Sequence, residues 1–356
     1  WYHKQQPRPE HPLAVVILSG SADELSTLRV QAAEHLRNAH SSGKSSANEI
    51  PLKSLFFSSR TRGAAGRIGF VFPGSGNTFF GMGRSLLTVF PSLVHSHEEE
   101  KEDLYFPYMS YILSNERRFR NMSHKEMILS QVGVGSAVCD LLALFGLRPT
   151  ACIGYSLGES AALIGLRAWP DRNEILRRLE RSSLFASDLV GWRFDVARKA
   201  WNVPEGEDVP WISGVIDRSS IEIRERIAGR ERIYLLIVNT PTQCVIGGDR
   251  TEVEQLVRDM NATFMPLTAP STVHCDLLRS VETAYRELHL MRTTPPADID
   301  FYSAAWGRKY DLNRESAAEA IVAQAVDTID FPRVIEQAYA DGVRIFVEIG
   351  PGSSCT

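Results

Sequence analysis

The chain has 356 residues, 44% hydrophobic and 23% charged. That is enough to bury a sizeable core and long for one compact domain, so two or three domains are expected. Its 39 Lys and Arg against 43 Asp and Glu give a formal net charge of −4, a balance that excludes the uniform basic surface of a nucleic-acid binder. Apolar runs such as 233–238 and 141–145 fall short of the roughly 18 residues of a membrane span. Five cysteines with no C-x-x-C pair argue against a disulfide framework or a metal cage. The expectation is a soluble, cytoplasmic protein with reduced thiols and no nucleic-acid, membrane or metal partner. Trp1-Tyr2-His3 at the start and Gly352-Ser353-Ser354-Cys355-Thr356 at the end read as the edges of a segment from a longer polypeptide.

In chain order, 13–18 reads as a buried strand. Ser21 or Asp23 then caps a helix with Leu25, Leu28, Ala32 and Leu36 at helical spacing. Polar, glycine-containing stretches at 41–49 and 60–67 place a boundary near residue 66. The run 68–72 ends in Pro73-Gly74-Ser75-Gly76-Asn77, a strand entering a turn. An apolar helix over about 126–145 leads to a second such unit, strand 151–155 and helix 161–166. Strands alternating with helices indicate βαβ units and a mainly parallel sheet. From about Pro210 the order becomes β-α-β-β-α-β, ending near 267, the ferredoxin-like pattern. The fold class expected is α/β: a hydrolase-like large subdomain over 67–207 and 269–356, with a ferredoxin-like small subdomain over 208–268. A small αβ domain over 1–66 precedes them.

Gly154-Tyr155-Ser156-Leu157-Gly158 fits G-x-S-x-G, in which flanking glycines permit the sharp strand-to-helix turn that lifts a serine hydroxyl above a sheet. Chance supplies such a triplet about 0.1 times in a chain this long. The plain alternative is a serine capping a tight turn. A serine nucleophile needs a base, most often histidine. Of nine histidines, His3, His11, His35 and His40 lie in the opening unit. His95, His97 and His124 sit in polar stretches, and His289 follows a helical run. His274 stands where the chain returns from the inserted domain to the sheet, which makes it the best-placed base; a partly buried structural histidine is the alternative.

These residues resemble the malonyl-type acyltransferases of fatty acid and polyketide synthases. Phe72-Pro73-Gly74-Ser75-Gly76 with Gly81-Met82-Gly83 is similar to the family's F-P-G-Q-G…G-M-G opening. Gly154 to Glu159 resembles its G-H-S-x-G-E elbow, Asn239-Thr240-Pro241 its N-x-P, and Phe346 to Gly352 its F-V-E-V-G-P segment. Residues 1–66 resemble the linker between a ketosynthase and an acyltransferase, and the C-terminal end resembles that of polyunsaturated fatty acid synthases. The resemblance implies that Ser156 takes an acyl group from a coenzyme A thioester and passes it to the phosphopantetheine thiol of an acyl carrier protein. His274 would be the general base, and the backbone N–H groups of Leu157 and Ser75 the oxyanion hole. Arg181, 25 residues after Ser156 and followed by Ser182, would pair with the malonyl carboxylate, with Tyr155, Val273 and Asn239 in the substrate pocket. The plain alternative for Arg181 is a place on a solvated helix face. No bound cofactor or metal is implied. The partners implied are the acyl carrier protein and the neighbouring ketosynthase and other synthase domains.

The chain departs from the family at Tyr155 (usually His), Ser75 (usually Gln) and Ile128 (often Gln). Ser271-Thr272-Val273-His274 matches neither H-A-F-H nor Y-A-S-H. Malonyl-CoA is the expected donor because Arg181 is retained and His274-Cys275-x-Leu277-Leu278 is similar to the malonyl enzymes. Two rivals stand beside this reading: a serine thioesterase with the same elbow, which needs an acid between Ser156 and His274, and a non-catalytic docking module. Arginines at 60–67 and 117–120 could steer an acidic carrier protein, or be ordinary surface charge.

Overall fold

The computed structural model describes residues 14–41, 54–58, 66–93, 115–191, 193–268 and 270–355. The connection expected beyond Ser41, arginines 60–62, the stretch 98–103 and His3, His11, His95 and His97 lie outside the described residues. Contacts divide the chain into two units, one up to Arg67 and one from Ile68.

In the first unit, β1 (Ala14–Ile17) pairs antiparallel with β2 (Leu55–Ser58), and α1 (Ala22–Ser41) lies between them in sequence. Ser21 Oγ accepts the Glu24 N–H at 3.2 Å, satisfying one of the free donors at the helix start. Leu28, Ala32 and Leu55 are buried, whereas Leu25 is exposed.

In the second unit, β3 (Arg67–Phe72), β4 (Ala151–Gly154) and β9 (Asp300–Ser303) run parallel side by side. β12 (Val343–Glu348) lies beyond β3, and β10 (Arg308–Tyr310) closes the other edge antiparallel to β9. Every residue of β4 is buried, the signature of a central parallel strand covered on both faces. Ahead of β4 come α2 (Arg84–Val89), α3 (Glu116–Arg120) and the long α4 (His124–Leu144). A capping box starts α4: Ser123 Oγ accepts from Glu126 N–H at 3.2 Å, and the Glu126 carboxylate accepts from Ser123 N–H at 2.8 Å. By length and composition α4 could cross a membrane, yet Leu129, Val132, Val134, Ala137 and Cys139 are buried in the body, as in the core helix of a globular domain. After β4 come α5 (Gly158–Gly165), α6 (Arg172–Glu180) and α7 (Asp195–Trp201).

The second sheet holds β5 (Trp211–Ile216), β6 (Ile233–Thr240), β7 (Gln243–Asp249) and β8 (Phe264–Pro266). Helices α8 (Ser220–Ile227) and α9 (Arg250–Asp259) complete the β-α-β-β-α-β order. The spatial order β6-β7-β5-β8, antiparallel throughout, is the ferredoxin-like arrangement expected from the sequence. Ile216, Ile223, Leu235, Ile246, Val253 and Leu256 form its core.

The chain then continues through α10 (Glu282–His289), α11 (Arg314–Val326), β11 (Ile329–Asp330) and α12 (Phe331–Ala340). Two of these differ from the sequence reading, which assigned no helix at 314–326 and kept the second sheet to one continuous segment. α11 is buried along most of its Ala-, Ile- and Val-rich length, so it lacks the one-sided apolar stripe that marks a surface helix. β11 joins the second sheet from outside that segment, pairing parallel with β6.

Candidate active site

The elbow is held by close backbone approaches. Tyr155 N–H donates to Phe72 O at 2.9 Å, anchoring the end of β4 to β3. A Cβ on Gly158 would come within 2.0 Å of Phe72 O, and one on Gly154 within 2.1 Å of Glu159 N. Both flanking positions of the motif therefore require glycine. At the apex Ser156 has φ 54, a left-handed conformation that a non-glycine residue adopts only where its surroundings enforce it. Gly158 and Glu159 N–H donate to the carbonyls of Tyr155 and Ser156, and Gln324 Nε2 also donates to Ser156 O at 2.9 Å.

Ser156 Oγ lies 2.8 Å from His274 Nε2, across 118 residues of sequence. His274 is itself left-handed, with φ 68, and its N–H donates to Ala325 O at 2.7 Å. Its Nδ1 is 2.5 Å from Gln324 O. A carbonyl can only accept, so Nδ1 carries the proton and the Nε2 lone pair faces the serine hydroxyl. Burial pushes the His274 pKa down to about 4, with the Gln324 carbonyl opposing the shift. The imidazole is therefore neutral near pH 7, the form a base needs. The group that orients it is a backbone carbonyl of α11 where a hydrolase triad has a carboxylate.

Ser156 and His274 open into a cavity of about 650 Å³ between the two sheets, whose lining also includes Ser75, Leu157, Tyr155, Val273 and Asn239. Among the described residues neither Leu157 nor Ser75 N–H has an acceptor, which leaves both free for an oxyanion. The turn carrying Ser75 is clamped from α4: Gln131 Nε2 donates to Gly74 O at 2.6 Å and Gln131 Oε1 accepts from Asn77 N–H at 3.2 Å. Tyr155 OH donates to Asn239 Oδ1 at 2.7 Å, and its ring meets Phe331 edge-on at 5.0 Å. Burial raises the Tyr155 pKa, which keeps the hydroxyl a donor. Next to the elbow, buried Glu159 accepts from Ala304 N–H at 2.7 Å through Oε1, while Oε2 has no partner among the described residues. Desolvation lifts its pKa to about 8, against the opposing pull of Ala304 N–H.

Arg181 does not join this group. It caps the C-terminus of α6, is exposed, and is absent from the cavity lining. Ile175 and Leu179 are the α6 residues that line the cavity. At about 100° per residue, Arg181 lies about 200° around the helix from Leu179, on the opposite face. The α6 residues facing the cavity are thus apolar, and Arg181 lies off that face. Sequence reasoning missed Gln324, Gln131, Tyr285 and His289, all close to the site. Gln324 left a faint signal, a single amide in the run Ala-Ile-Val-Ala-Gln-Ala-Val.

No protein-family model matches the chain. The malonyl CoA-acyl carrier protein transacylase of Bacillus subtilis is 25% identical over 292 residues, 80% of this chain and 87% of that protein. A polyunsaturated fatty acid synthase polypeptide of Thraustochytrium is 21% identical over 82% of this chain, which spans only 15% of that protein's length. Among solved structures, the acyltransferase domain from the second module of the salinomycin polyketide synthase superposes with a TM-score of 0.67. It is 20% identical, and the match covers 95% of this chain and 72% of that one. The chain has the acyltransferase fold. The resemblance read from the motifs is borne out by these relatives, and the elbow serine of this acyltransferase fold faces the cavity between its two sheets.

Proposed function

We propose that this chain is a serine acyltransferase that moves an acyl group from coenzyme A to the phosphopantetheine thiol of an acyl carrier protein. The observation that carries the reading is the 2.8 Å contact between Ser156 Oγ and a neutral, backbone-oriented His274. His274 takes the Ser156 proton as Oγ attacks the thioester carbonyl. The oxygen of the tetrahedral intermediate is met by the N–H groups of Leu157 and Ser75. The C–S bond then breaks, and the imidazolium returns its proton to the leaving thiolate. The second half runs the same steps in reverse order: the carrier thiol attacks the Ser156 ester and Oγ leaves with its proton restored.

Malonyl is the acyl group in the Bacillus relative's name; the Arg181-Ser182 pair that implied it in the sequence lies off the cavity. Malonyl is the first donor to test. The carrier protein and neighbouring synthase domains are the proposed partners, in a cytoplasmic setting. A backbone carbonyl behind His274 favours transfer over the thioesterase rival, and an aligned Ser156–His274 pair disfavours a purely docking module. Incubation with malonyl-CoA followed by intact-protein mass measurement should give a stable ester, absent from Ser156→Ala. The ester should disappear on addition of holo carrier protein. Release of free malonate with no loading of the carrier protein would sink the reading.

A further inference from the structure

The cavity continues beyond Ser156 along one face of α5. Leu157, Ser160 and Ile164 recur at three- and four-residue spacing and all line it, a stretch of about 10 Å at the helical rise. Val132 of α4, Ile175 and Leu179 of α6, and Phe185 line the cavity too, with Tyr285 beside Phe185 and His289 beside Tyr285. Among the described residues lining the cavity there is no Arg, Asp or Glu, and Lys125 is the one lysine. Lys125 sits in the first turn of α4, about 10 Å of helix before Val132.

The histidines of the lining do not supply the missing cation. His289 Nδ1 donates to Tyr285 O at 2.8 Å, and burial lowers its pKa to about 4. Burial lowers those of His124 and His274 as well. With Arg181 exposed at the end of α6, a carboxylate carried along α5 would meet neutral polar groups at Ser160, Tyr285 and His289 amid Leu157, Ile164, Ile175 and Leu179, with no paired cation, which is disfavoured. Methylene groups in the same place are favoured by burial.

We propose that the pocket accepts an uncharged, medium-chain acyl group at least as readily as malonyl, its walls selecting by shape and apolarity. This rests on the acyltransferase reading and widens the acyl class that the site carries. The bond changes are those of any thioester donor: Ser156 Oγ–acyl forms and the acyl–sulfur bond breaks, with the proton passing through His274 to the thiol.

The test is a competition between octanoyl-CoA and malonyl-CoA for acylation of Ser156, with each ester resolved by mass. The expected kcat/KM for octanoyl equals or exceeds that for malonyl, and Arg181→Ala changes the malonyl rate less than threefold. A malonyl preference of threefold or more, or a threefold or greater fall in malonyl acylation with Arg181→Ala, overturns the inference while leaving the acyltransferase reading intact. Leu179→Arg, which places a guanidinium on the cavity face, should shift the ratio at least tenfold towards malonyl. An unshifted ratio in a folded Leu179→Arg variant counts against the proposed wall. No ester on Ser156 from either donor removes the acyltransferase reading and this inference with it.

Discussion

Tyr155 OH donates to Asn239 Oδ1 across 2.7 Å, so the elbow at the end of β4 and strand β6 of the second sheet share a side-chain hydrogen bond over the cavity. Tyr155→Phe keeps the ring against Phe331 and leaves Asn239 one donor short. The expected cost is about 1 kcal/mol of stability, with KM for the acyl-CoA raised a few-fold. Urea unfolding and steady-state kinetics measure the two effects. Unchanged values for both would show that the bond contributes nothing.

Gln324 serves both partners of the pair. Its side chain donates to Ser156 O and its backbone carbonyl accepts from His274 Nδ1. Gln324→Leu removes only the first of these, leaving the strained elbow with one support fewer. The acylation rate should fall roughly tenfold, the equivalent of about 1.4 kcal/mol, while KM changes little. Rapid-quench measurement of the Ser156 ester reads this directly; a rise in KM at constant rate would instead assign Gln324 to substrate binding.

The pH dependence of acylation follows from the low pKa of His274. A base acts when unprotonated, so the rate should be level through pH 6.5 and fall tenfold per unit only below about 4. Stopped-flow acylation with short exposure to each pH is the measurement. A midpoint near the ordinary histidine value would mean that the ring is far better solvated than its burial indicates.

Glu159 acts in the opposite sense on stability. Its folded pKa, about 8, lies above the unfolded carboxylate value of 4.5, so the folded chain holds a proton that the unfolded chain releases. Its contribution is complete below about pH 4.5 and is lost as pH rises through 8, by an amount on the order of a few kcal/mol. Glu159→Gln keeps the oxygen that accepts from Ala304 and has no charge to bury. Wild type should therefore lose stability relative to this variant between pH 5 and pH 8 in urea titrations, and parallel curves would refute a protonated Glu159.

The elbow was legible because its two glycines are forced by contacts that any G-x-S-x-G turn repeats, and the ferredoxin-like insert because its strands and amphipathic helices keep clear periods. His274 could be picked out by its place after the insert. Arg181 could not be placed from spacing alone: a count of 25 residues says nothing about rotation around α6, and the cavity face of that helix belongs to Ile175 and Leu179. α11 was invisible for a related reason, since a helix buried on most sides has no polar stripe to reveal its period. With it went Gln324, whose most telling contribution is a main-chain carbonyl that no side-chain pattern encodes.

Strand β11 gives the molecule a mechanical linkage. It pairs with β6 through Ile329 and Asp330, and it starts a few residues after Ala325, whose carbonyl holds the His274 N–H. The small layer is thus tethered to the stretch of chain that aims the base. Only a few residues of chain therefore separate the second sheet from the carbonyl that fixes His274.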